Sequence, residues 1–145
     1  MQKLQAVEEA KALMNQAKDW PVWRWLLEKR RVRAVADRAT EALADREKKV
    51  KAAWPEDLRK AVNGRPRSLD PDLKLALQKV READELAESA RLDAEATFDE
   101  AERRLSTSMA REGAEKAITS WGLKEKAIRK AEAVGRAQIA AEEHR

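Results

Sequence analysis

Asn63-Gly64-Arg65-Pro66-Arg67-Ser68, followed at Asp70-Pro71 by a helix-start signal, is the stretch that decides the fold. Gly and Pro interrupt regular structure more strongly than other residues, and this run sets an Asn-Gly pair just before a proline. Asp70 can cap a helix because its carboxylate accepts from free first-turn N–H groups, and Pro71 loses nothing there by lacking its own. The run reads as a turn that reverses the chain and launches a helix.

Upstream, Val32, Ala36, Ala39, Leu43, Val50, Trp54, Leu58 and Ala61 form an apolar line in which Glu47 is the one charged member. Steps of three and four residues that repeat every 11 stay close to the natural helical twist, so the spacing predicts a long, nearly straight helix over 22–62. Pro55 removes a backbone hydrogen bond inside that span and predicts a kink at Trp54-Pro55. Downstream, Leu73, Ala76, Val80, Ala83, Ala87, Ala90, Ala94, Phe98, Ala101, Leu105 and Met109 predict a second long helix over 71–121, closed or bent by Gly122.

Folding these two helices about the turn pairs residues whose numbers sum to about 133 or 134. Leu58 then meets Ala76, Trp54 meets Val80, Ala36 meets Phe98 and Val32 meets Ala101, large against small in almost every case. Charge supports the same register independently. Residues 20–67 carry 14 basic and 7 acidic side chains, and residues 68–112 carry 7 basic and 12 acidic ones. Lys29, Arg30, Arg31 and Arg33 fall opposite Asp99, Glu100 and Glu102, and Arg46, Lys48, Lys49 and Lys51 fall opposite Glu82, Asp84, Glu85 and Glu88. Exposed pairs are each worth under about 1 kcal/mol, so they select register more than they add stability.

Two shorter amphipathic helices flank the hairpin, over 3–18 (Leu4, Val7, Met14) and 123–143 (Leu123, Ala127, Ala131, Val134). The expected architecture is a single all-α domain over 1–145. It is an elongated, coiled-coil-like antiparallel hairpin of long helices, whose short terminal helices pack at its open end as a three- or four-helix bundle. Composition agrees: Ala, Glu, Lys, Leu and Arg supply 91 of the 145 residues, with one Phe and no Tyr. Charged residues reach 40 %, but a net charge of only +4 and five Trp argue against disorder.

With no Cys there is no disulfide, thiol chemistry or cysteine metal site. Acidic residues among the first twenty do not suit a secretory signal, and no apolar run reaches the roughly 20 residues of a bilayer span, so a cytoplasmic protein is expected. The single histidine, His144, lies at the C-terminal edge, and no phosphate loop, dinucleotide fingerprint or metalloprotease motif can be drawn. The expectation is therefore no enzyme, no cofactor, no metal and no small-molecule substrate.

What remains is interaction. Trp20, Trp23, Arg24 and Trp25 lie in one short segment, and Trp beside Arg suits a membrane interface or a nucleic acid as well as a bundle core. A core role for the tryptophans, with the basic residues answering Asp99, Glu100 and Glu102, accounts for both halves of the segment. Arg65 and Arg67 make the hairpin tip basic. Leu75, Leu77, Leu86 and Leu92 lie off the main seam and invite a partner helix. The leading expectation is a non-enzymatic helical interaction or assembly protein acting through helix–helix packing, as a homo-oligomer. The alternatives are a peripheral binder of anionic membrane or nucleic acid through the Trp-Arg segment or the basic tip, and a small helical module that docks on one protein target.

Overall fold

The computed structural model describes residues 3–62 and 70–144, and every element among them is an α-helix. Five helices follow in order: α1 (Gln5–Ala17), α2 (Val22–Ala52), α3 (Glu56–Val62), α4 (Pro71–Arg104) and α5 (Thr107–Glu143). The 37 residues of α5 alone span about 55 Å at 1.5 Å per residue. The accessible surface is 9369 Å², against about 7,600 Å² for a compact protein of this mass, so the bundle is elongated.

The all-α antiparallel hairpin bundle is as expected, but its helix boundaries and its closest pair differ. The helix expected over 22–62 does not merely kink at Pro55; it stops at Ala52 and restarts as α3 at Glu56. Pro55 lacks the N–H that would continue the ladder, and its carbonyl instead accepts from the Arg59 N–H at 3.1 Å to open the new helix. Asp70 caps α4 as its sequence implied, its Oδ1 accepting from the Asp72 N–H at 3.1 Å. The turn run itself, with Arg65 and Arg67, lies outside the described residues.

The larger correction concerns the helices expected over 71–121 and 123–143. The break falls at Leu105-Ser106, and α5 then runs through Gly122 without interruption. Leu105 adopts the left-handed conformation at φ 52°, the Ser106 N–H bonds back to the Ala101 carbonyl at 2.9 Å, and the Leu105 N–H bonds to the Glu102 carbonyl at 3.3 Å. This 6→1 and 5→2 pair is the Schellman closure of a helix. Ser106 then caps α5, its hydroxyl accepting from the Met109 N–H at 3.1 Å. Gly122 costs about 1 kcal/mol in a helix interior, too little to break a buried stripe that passes through it at Ala114, Ala117, Trp121, Ile128, Ala131 and Gln138.

Leu105 sits in a conformation that costs an L-residue about 1–2 kcal/mol, and its side chain is exposed. Leu105→Gly is therefore expected to raise the unfolding free energy by about 0.5–1 kcal/mol, read from the urea midpoint. A lowered midpoint would mean that the leucine makes a stabilising contact that outweighs its strain.

α4 and α5 form the tightest antiparallel pair, and α5 also packs against α1 and α2. The reason is size. The α4 seam of Ala83, Ala87, Ala94 and Ala101 meets an α5 face built from Ala110, Gly113, Ala114, Ala117 and Ala131, so the two backbones approach closely. Phe98 lies on Gly113, where a Cβ would come within 2.9 Å of its ring. α2 runs antiparallel to α4 at the expected register, as Lys29–Glu102, Arg33–Asp99 and Lys51–Asp84 pairs show, but these long side chains reach across a gap rather than over a packed seam. α1 lies against α2 and α5 and is tied to the latter by Lys11–Glu125 at 2.5 Å. The core has two parts, one around Met14, Leu43, Trp25 and Ile128, and a second around Trp54, Leu58, Leu77, Val80 and Val134.

Candidate functional site

Because α2 begins beside the α4–α5 turn, the Trp-rich segment lies at one end of the bundle. The Val22 N–H, free at a helix start, donates to the Thr107 hydroxyl at 2.9 Å and fixes this junction. Trp20 and Trp25 turn inward and meet edge to face with ring centroids 5.6 Å apart, and Trp25 also stacks at a tilt on Phe98, again at 5.6 Å. Arg24 lays its guanidinium 4.4 Å above the Trp20 ring, a cation–π contact. Trp23 points the other way and is 61 % exposed.

The segment thus divides. Trp20 and Trp25 are core, and Trp23 belongs to the surface. Beside Trp23 on α2 are Leu27, 77 % exposed, and the partly covered Leu26, while Leu105 projects from the neighbouring turn. Arg30, Arg31, Arg103 and Arg104 are exposed around them. Among the leftover leucines of α4, Leu75, Leu86 and Leu92 are exposed, whereas Leu77 is buried with Trp54 and Val80. Sequence spacing set all four off the main seam; Leu77 is covered because α5 and α3 supply a second wall.

Between α2 and α4 lies a cleft of about 370 Å³. Trp25, Val32 and Ala36 form one wall, Ala94, Phe98 and Ala101 the other, and Ala110, Ala117, Ser120 and Trp121 of α5 the floor. The expected facing of Ala36 with Phe98 and of Val32 with Ala101 is realised across this space. Lys29–Glu102 and Arg33–Asp99 bridge its mouth. The Lys29 ammonium, hydrogen-bonded to the Glu102 carboxyl, holds it below its ordinary value. The cleft was not legible in the sequence, because it depends on the distance between α2 and α4.

Farther along, Glu47, Asp84 and Lys124 join α2, α4 and α5. The Lys124 ammonium is 2.7 Å from Glu47 and 3.1 Å from Asp84, and Lys51 lies 3.3 Å from Asp84. Burial, and then a hydrogen bond to Asp84, raises the Glu47 carboxyl. Burial would raise Asp84 too, but hydrogen bonds to Glu47 and Lys124 and the charges of Lys124 and Lys51 together hold it down. Burial would likewise lower Lys124, and the two carboxylates outweigh it and raise it. The signal was present in the sequence: a lone Glu in an apolar line needs a cation. Lys124 stands one turn from Trp121 and Ile128 on the α5 stripe, but it was hidden while α5 was expected to begin at 123.

Among the described residues there is no group of three or more His, Cys, Asp or Glu placed to hold a metal ion, and no helix long and apolar enough to cross a membrane. Compared with the models of known protein families, with characterised proteins and with solved structures, the chain matches none.

Proposed function

We propose that this chain is a non-enzymatic interaction protein that works by helix–helix packing and associates with copies of itself. The observation that carries this reading is the cluster of Trp23, Leu26, Leu27 and Leu105, large apolar side chains left exposed together at one end of the bundle. Single exposed leucines need no explanation, but several contiguous ones rimmed by charge mark an interaction surface. Leu75, Leu86 and Leu92 are further exposed leucines on α4.

The test is mass against concentration, by light scattering and sedimentation. Wild type should exceed its monomer mass of 16.5 kDa as concentration rises. The double variant Trp23→Glu, Leu27→Glu should remain monomeric at least ten times higher in concentration, because a charge buried at an interface without a partner costs several kcal/mol. Both side chains are exposed in the single chain, so its helical signal and melting temperature should hold. A wild type that stays monomeric throughout would overturn the proposal.

A second reading draws on the arginines around the same patch. Trp and Leu amid Arg suit the interface of an anionic membrane. It predicts cosedimentation with phosphatidylserine vesicles that weakens steeply with salt, without dependence on self-association.

A further inference from the structure

The exposed apolar cluster at the start of α2 is set in basic surroundings. Residues 22–33 carry five basic side chains against one acid, Glu28. Glu102, Glu28 and Asp99 answer Lys29, Arg31 and Arg33, but Arg103 and Arg104 share the single carboxylate of Glu100. Arg24 lies on the Trp20 ring, and among the described residues neither it nor Arg30 pairs with a carboxylate. Positive charge is therefore left over around Trp23 and Leu27.

The outer face of α4 has the opposite character. Residues 82–95 carry six acids against one base, Arg91. Lys124 and Lys116 of α5 answer Asp84 and Asp93, while Glu88 and Glu95 share the one guanidinium of Arg91. Glu82 accepts from the neutral amide of Gln78, and among the described residues neither it nor Glu85 pairs with a cation. Leu86 and Leu92, both more than half exposed, each stand three residues from the exposed Ser89. Glu82 lies four residues before Leu86 and Glu85 four before Ser89, so these five side chains share one helix face. It combines leucine with surplus negative charge, the counterpart of the Trp23 end.

Apolar side chains give contact area to either surface, and charge decides which surfaces meet. Two Trp23 ends set against each other would bring like charges together at Arg24, Arg30, Arg103 and Arg104. We infer that the self-association proposed above, on which this contact rests, sets the Trp23 end of one copy on the Leu86–Leu92 face of α4 in a second copy. The two surfaces do not meet within one chain, because Leu105, at the Trp23 end, is 13 residues past Leu92 along α4, about 20 Å away. Each copy carries one surface of each kind, so the contact is heterologous. Growth beyond it stops only where the copies close on one another.

The experiment uses the full chain in two variants, followed by light scattering and sedimentation at a concentration where wild type has associated. Trp23→Glu, Leu27→Glu removes the end and keeps the face; Leu86→Lys, Leu92→Lys removes the face and keeps the end. All four side chains are exposed, so the helical signal and melting temperature of each variant should hold. Each variant alone should be monomeric, and an equimolar mixture should give a complex of two chains. Building Glu82→Lys, Glu85→Lys into the end variant, which leaves both leucines in place, should weaken that complex about tenfold or more. A Leu86→Lys, Leu92→Lys protein that associates as wild type does would overturn the inference and leave self-association standing, with Trp23 ends meeting each other. A mixture that stays monomeric, or an affinity unchanged by the two lysines, would also overturn it. A wild type monomeric at every concentration, whether or not it sediments with phosphatidylserine vesicles, would overturn both this contact and the self-association beneath it.

Discussion

Trp54→Ala is expected to lower the unfolding free energy by about 3–5 kcal/mol, the usual cost of removing a large aromatic side chain from a core. Trp54 is buried at the break between α2 and α3, among Leu58, Leu77, Val80 and Val134. Its ring lies on Gly135 of α5, where a Cβ would come within 2.7 Å of the indole, so only glycine admits it in this position. Its N–H donates to the Ala131 carbonyl at 2.9 Å. One side chain therefore ties the end of α2 to α4 and α5, and fixes where α3 sets off after Pro55. At about 2–4 °C per kcal/mol for a chain of this size, the melting temperature should fall by roughly 10 °C or more. Trp54→Phe, which keeps much of the apolar area but loses the hydrogen bond, should fall in between. Urea unfolding followed by helical signal decides the matter: a loss below about 1 kcal/mol would show that this end of the bundle does not share the cooperative core.

Lys124→Met should cost about 2–3 kcal/mol at neutral pH. The side chains of Lys124, Glu47 and Asp84 are three-quarters or more covered, so the full penalty of breaking a buried pair is reduced but not removed. Without the ammonium, two carboxylates close enough to share a proton are left facing, and only Lys51 still answers them. The deficit should therefore shrink as pH falls toward the ordinary carboxylate range, because a shared proton relieves the repulsion. Adding Glu47→Gln to the variant should recover most of the loss at neutral pH.

The wild type should respond differently, and the signs follow from the directions of the shifts. Lys124 is raised, so its contribution is complete below the ordinary lysine value and is lost only as alkaline pH passes through its higher folded value. Asp84 is lowered, so its contribution is present above the ordinary aspartate value and is lost as acid pH falls through its depressed value. Glu47 is raised, and as a carboxyl it acts in the opposite sense, its charged form being relieved as pH falls through its elevated value. A Lys124→Met deficit that is the same at pH 4 and pH 7 would show that the carboxylates are kept apart by solvent.

The sequence by itself determined the helical class, the capped start of α4 at Asp70-Pro71, the interruption at Pro55 and the register of α2 along α4. Each of these is local chemistry or simple charge matching: a missing N–H, a carboxylate beside free N–H groups, an apolar line with the helical period, lysine and arginine opposite acids. The tertiary structure decided the rest. Leu105 and Met109 continue the α4 stripe without a gap, so periodicity ran straight through a turn that exists because Leu105 takes a left-handed conformation and Ser106 caps the next helix. An alanine stripe shows which face of a helix is buried, but it fits any partner small enough to come close. The glycines and alanines of α5 made that helix the near neighbour of α4, and α2 was left at arm's length across the cleft. The same summed packing turned Trp25 inward and Trp23 outward, a choice that two tryptophans separated by one residue cannot make for themselves.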